Sequence, residues 1–215
     1  METEAIGYGL KPFALVLAAV IALEAGSRFF CEDPLIAAGI ARALDVAVIT
    51  GAAIWFGRKA ILPGIIPADL KRGFVRGVVW AAAFGCAAAI LGAILYTAGF
   101  APLKMISVDL PQSTGRLLAF FAFGGIVSPF AEELIFRGAV FGLLRRWGAA
   151  AAVLGSATLF TLAHDTGGLP VIQAAGGLVF ALSYEVEKNL LVPVIIHVAG
   201  NLALFSITVL MHLAG

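Results

Sequence analysis

Residues 117–144 read LLAFFAFGGIVSPFAEELIFRGAVFGLL. A run this apolar is long enough to cross a hydrocarbon core, which takes roughly 17 to 25 residues. It nevertheless carries Glu132, Glu133 and Arg137. Ionisable groups inside a bilayer are costly, so they mark pairing or function. Glu133 and Arg137 are four residues apart and stack on one helix face, where their opposite charges can pair. Glu132 is turned away by about 100° and can point elsewhere, for instance into a water-filled cleft.

Six further apolar runs surround this one, giving expected spans at 13–29, 35–56, 74–100, 117–144, 149–164, 169–184 and 190–213. The fifth and sixth are short for a full crossing. Glu24 interrupts the first, and Arg42 and Asp45 lie in the second. The chain is 61% hydrophobic and 13% charged, where soluble domains carry about 25% charged residues. Lipid is therefore the solvent, and the expected fold is all-α: a polytopic membrane helical bundle of about seven helices, forming one domain over 1–215. Abundant Gly and Ala let membrane helices approach closely. The basic, proline-containing segment GRKAILPGIIPADLKRG (57–73) is expected to lie along the membrane surface. The opening METEAIGYGLKPF lacks a cationic start, so the first run is read as a retained helix rather than a signal peptide.

Net charge is +1, which argues against nucleic acid as a partner. Cys31 lies between two runs and Cys86 within one, so a disulfide is not expected. Cys86 reads as a small packing residue, and Cys31 as a juxtamembrane thiol open to acylation. Nine cationic residues lie in loops on the side of the N-terminus: Lys11, Arg58, Lys59, Lys71, Arg72, Arg76, Arg145, Arg146 and Lys188. Three lie opposite: Arg28, Lys104 and Arg116. This bias places the N-terminus in the cytoplasm. The oligomeric state is left open.

Two more constellations follow span four. Span five ends in Phe160-Thr161-Leu162-Ala163-His164, and span seven contains His197-Val198-Ala199-Gly200-Asn201. His197 and Asn201 share a helix face. The remaining histidine, His212, is expected at the interface. A lone intramembrane His or Asn is more often an interhelical hydrogen-bonding group than a catalyst, and a Glu–Arg pair is more often structural. Two glutamates, two histidines and an asparagine on three apolar helices are harder to explain as packing, because together they can supply one another's partners.

The motifs E-E-x-x-x-R (Glu132, Glu133, Arg137), F-x-x-x-H (Phe160, His164) and H-x-x-x-N (His197, Asn201), in this order on separate helices, resemble those of the CPBP intramembrane proteases. That family includes the type II CAAX prenyl endopeptidases and the bacterial Abi proteins. The resemblance covers a core at 116–213. It implies an intramembrane endopeptidase acting on a membrane-anchored protein or peptide, in which Glu132 and His164 activate water. His197 and Asn201 would stabilise the oxyanion. Glu133 and Arg137 would support the frame, and Phe160 would pack.

Peptide hydrolysis of this kind needs general acid/base groups and oxyanion donors, which these side chains can supply without a cofactor. A Glu/His/His set can also bind zinc, so a metalloprotease is the alternative chemistry. No HExxH, GxGD or G-x-S-G motif occurs, and Gly155-Ser156 reads as packing. A non-enzymatic immunity or scaffold protein and a small proton-coupled transporter are the competing classes. The resemblance also includes bacterial proteases that cut C-terminal sorting tails, and the expected location is a bacterial inner membrane.

Overall fold

The computed structural model describes residues 10–56, 67–164 and 170–214 of the 215. All regular structure among them is helical. The elements are α1 (Leu10–Phe30), α2 (Pro34–Phe56), α3 (Pro67–Thr97), α4 (Pro102–Ile106), α5 (Thr114–Trp147), α6 (Ala149–Leu162), α7 (Val171–Glu187) and α8 (Leu191–Ala214). Side chains near their ends explain several boundaries. Asp33 Oδ1 accepts from the Leu35 and Ile36 amides at 2.9 and 3.4 Å, ahead of an α2 that begins with Pro34. Asn189 Oδ1 does the same for Leu191 at 3.0 Å, starting α8. Gly148 breaks α5 from α6 at φ +103°, a conformation that L side chains resist.

The chain is an all-α membrane protein, as expected. Each of the seven expected spans coincides with a helix. Four described stretches are long and apolar enough to cross a bilayer: Pro34–Ala52, Asp69–Thr97, Thr114–Trp147 and Leu191–Ala214. The described apolar stretches Ala14–Ser27 and Ala149–Leu162 are shorter, and α7 has 17 residues. Residues 67–73 of the expected surface segment form the first turns of α3, which begins at Pro67 rather than at the expected Phe74. The rest of that segment, 57–66, is outside the described residues. Pro at a helix start costs no hydrogen bond, and Asp69 in the first turn suits the positive end of the helix.

The helices pack mainly as α1 on α2, α6 on α7 and α3 on α8. Along α2, Ala37, Ala41, Asp45 and Ile49 recur every four residues and are buried, so they form its inward stripe. Ile49 meets Leu134 of α5 in the core. The first half of α3 is fastened: Arg76 donates to Glu187 of α7 at 2.6 Å, and Trp80 Nε1 donates to the same carboxylate at 2.9 Å. At Gly77 an added Cβ would lie 2.8 Å from Ile195 of α8, so the backbones approach closely there. The second half of α3 is different. Ile90, Leu91, Ile94 and Tyr96 are exposed. Cys86 is exposed with them, which corrects its reading as a small packing residue. Both cysteines are free.

Candidate active site

The three sequence constellations converge around α5. This helix is continuous from Thr114 to Trp147 but contains two wider, π-helical turns, at Phe123–Val127 and Leu134–Val140. They flank the short α-helical stretch Ser128–Glu133 that carries both glutamates. Such π-bulges occur often at functional sites. The first has a local cause. Pro129 has no N–H to continue the ladder. The Ser128 amide bonds to Phe123 O, five residues back, and in that register Gly124 O would await the missing Pro129 donor. Asn201 of α8 fills the role, its Nδ2 donating to Gly124 O at 2.9 Å.

Glu133 and Arg137 are fully buried. Arg137 Nη1 donates to Glu133 Oε1 at 3.1 Å, and Nη2 donates to Gly177 O of α7 at 2.8 Å. Its guanidinium also lies over the rings of Phe160 and Phe180, at 4.8 and 5.4 Å from their centroids. Gly177 permits this approach: a Cβ there would stand 3.0 Å from the Phe160 ring. Glu133 Oε1 has a second partner that the sequence did not point to, His197 Nδ1 at 2.9 Å. Phe180, also missed, stacks on the His197 ring at 4.5 Å. Only helix-to-helix docking brings residues so distant in sequence together, and no local spacing announces it. Phe160 packs as expected, 2% exposed, against Phe136, Phe180, His164 and His197.

The two imidazoles are held in a defined sense. His164 Nδ1 lies 2.7 Å from Phe160 O. A carbonyl only accepts, so Nδ1 carries the proton. His197 Nδ1 faces a carboxylate that is already paired with an arginine, so it donates as well. In both rings Nε2 is the nitrogen left to gain or lose a proton. Both Nε2 atoms face Glu132 Oε2, at 3.5 Å from His164 and 3.9 Å from His197. That oxygen is buried and has no hydrogen-bond donor among the described residues. Glu132, His164 and His197 therefore meet directly, and Glu133 and Arg137 brace them from behind. Asn201 stands one turn beyond His197, with one of its N–H groups committed to Gly124.

Among the described residues, no three His, Cys, Asp or Glu side chains assemble as metal ligands. Gly155 and Ser156 pack: a Cβ on Gly155 would meet Leu144 at 2.6 Å, and Ser156 is fully buried. His212 is exposed near the end of α8, its Nδ1 bonded to Thr208 O at 3.0 Å.

Residues 114–203, which hold all of these groups, match the family model described as type II CAAX prenyl endopeptidase Rce1-like. Over this segment, which is less than half of its length, the chain is similar to the CPBP family. The membrane-embedded CAAX protease MroQ of Staphylococcus aureus (strain USA300) is 34% identical over 93 residues, covering 40% of this chain and 38% of that protein. The chain thus matches less than half of the length of this relative. No solved structure matches. The matched segment begins at the first residue of α5 and ends two residues beyond Asn201, so α1 to α4 lie outside it.

Proposed function

We propose that the protein is an intramembrane endopeptidase that hydrolyses a peptide bond in a membrane-anchored protein or peptide. One observation carries the reading: a buried Glu132 oxygen without a donor faces the free nitrogens of two histidines whose other nitrogens are fixed. A water held between Glu132 Oε2 and His164 Nε2 would lose a proton to this pair as its oxygen attacks the scissile carbonyl. His164 Nε2 then returns a proton to the leaving amine. His197 serves the oxyanion when Nε2 is protonated, with Glu133 balancing the imidazolium charge, and Asn201 is the second donor. The chemistry requires no metal.

The test is purified protein in detergent with a cleavable substrate. Glu132→Ala and His164→Ala should abolish cleavage while inserting and purifying normally. His197→Ala and Asn201→Ala should lower the rate by about 10²–10³, the range for loss of an oxyanion donor. Full activity in Glu132→Ala would sink the mechanism. Activity should also survive exhaustive chelation; inhibition reversed specifically by zinc would favour a metalloprotease. The charge pattern favours an N-terminus in the cytoplasm, and the resemblance favours substrates with a C-terminal sorting tail in a bacterial inner membrane.

A further inference from the structure

A second ionic cluster lies beside the site, and the proposed chemistry does not use it. Arg42 of α2 donates through Nη1 to Asp45 Oδ2 at 3.2 Å and lies 2.7 Å from Glu24 Oε1 of α1. The Asp45 side chain is completely buried, whereas that of Arg42 is 26% exposed. Both acids approach the same nitrogen. Nε and Nη2 of Arg42 have no hydrogen-bond partner among the described residues.

The cluster adjoins the catalytic helix. α2 packs against the Ser128–Glu133 stretch of α5 and against the turn before it. Gly39 abuts the Phe123 ring, and Asp45 lies on the inward stripe of α2. The positive charge of Arg42 reaches both Glu132 and His164.

An arginine kept only to neutralise carboxylates favours a two-pronged pairing that uses its fork. Here one nitrogen serves both acids, and the Nε/Nη2 edge has no partner among the described residues, on a side chain that is 26% exposed. That edge presents two parallel N–H donors. Its ligand is constrained by charge. Glu24 and Asp45 already balance the guanidinium, so a further anion would enter an apolar interior uncompensated, at high cost. A neutral carbonyl oxygen accepts the same donors without adding charge. We propose that Arg42 is a substrate-binding residue whose Nε/Nη2 edge holds a backbone carbonyl oxygen of the polypeptide next to the scissile bond. This rests on the hydrolytic reading of Glu132. It assigns α2, which lies outside the family segment, a part in recognition.

Backbone carbonyls are common to all sequences, so an unfolded polypeptide serves as the probe. Dye-labelled β-casein peptides would be titrated in detergent against the Glu132→Gln protein, in which binding is measured without turnover. Adding Arg42→Met should weaken Kd by about 10- to 100-fold, the scale of a lost hydrogen bond to a charged group. Arg42→Lys should not restore it, because an ammonium lacks the fork. Repeating the comparison with Glu24→Gln and Asp45→Asn also in place removes the acids that Arg42 would otherwise leave unpaired. There, Arg42→Met should still weaken binding without lowering the melting temperature. Unchanged Kd, no probe binding by the Glu132→Gln protein, or a binding loss that merely follows a fall in melting temperature would overturn the assignment. So would tighter binding of a peptide acid than of its amide, which would make the ligand a carboxylate. Binding that depends on Arg42, together with wild-type protein that cleaves nothing, would keep this contact and discard the hydrolytic reading.

Discussion

Arg137 is fully buried and meets a carboxylate, a carbonyl and two aromatic faces at once. Replacing it with alanine leaves Glu133 buried with His197 as its remaining partner. Breaking a buried pair costs about 3–5 kcal/mol, so Arg137→Ala should lower thermal stability in detergent together with activity. Normal melting with lost activity would instead assign Arg137 a direct role in the chemistry. At this scale the sequence was informative about pairs on one helix and silent about pairs between helices. The four-residue spacing announced Glu133 with Arg137, and the structure has that bond. The bond from His197 to Glu133 spans 64 positions, and nothing local points to it. The i, i+4 spacing of His197 and Asn201 puts both on one helix face. In the structure they differ, because one is oriented by Glu133 and the other holds a backbone carbonyl.

The element that organises the site is α5, whose wide turn ahead of Pro129 leaves Gly124 O to Asn201. This separates a structural from a catalytic contribution of Asn201. In the parent, Asn201→Ala should cost about 1–3 kcal/mol of stability by stranding a carbonyl, in addition to its effect on rate. In a Pro129→Ala background the restored amide can serve Gly124, so the same substitution should cost clearly less stability while still slowing cleavage. Thermal melts of the four proteins of this double-mutant cycle provide the check; equal costs in both backgrounds would show that Gly124 is not what Asn201 sustains. Helix positions were legible because apolar runs of this length have one use in lipid. The π-helical turns were not, since Gly124, Gly125 and Pro129 are compatible with a kink, a break or a bulge alike. The start of α3 was masked by its basic composition, which reads as a surface segment although Pro67 and Asp69 suit a helix start.

For the whole molecule, the side of the membrane that the site faces is a testable property. If all seven expected spans cross, the cationic bias of nine residues against three predicts that His164 lies toward the cation-poor, exoplasmic face. Asp165, which follows it and lies outside the described residues, provides the probe. Asp165→Cys in a background lacking Cys31 and Cys86 should react with an impermeant maleimide from outside intact cells. Labelling only after the inner membrane is opened would reverse the topology and direct attention to cytosolic substrates. The architecture carries one further consequence, through α3. Its apolar stretch Asp69–Thr97 has 29 residues and so is about 43 Å long at 1.5 Å per residue, against a hydrocarbon core of about 30 Å. Fastened to α7 and α8 at one end and free along the other, it must lean or protrude, and the angle depends on the thickness of the surrounding lipid. The Arg76–Glu187 tie transmits that angle to α7, the helix that supplies Gly177 and Phe180 to the site. Acyl-chain length thereby becomes a setting on the proposed activity: vesicles of short-chain and long-chain phosphatidylcholine should support different cleavage rates from the same protein.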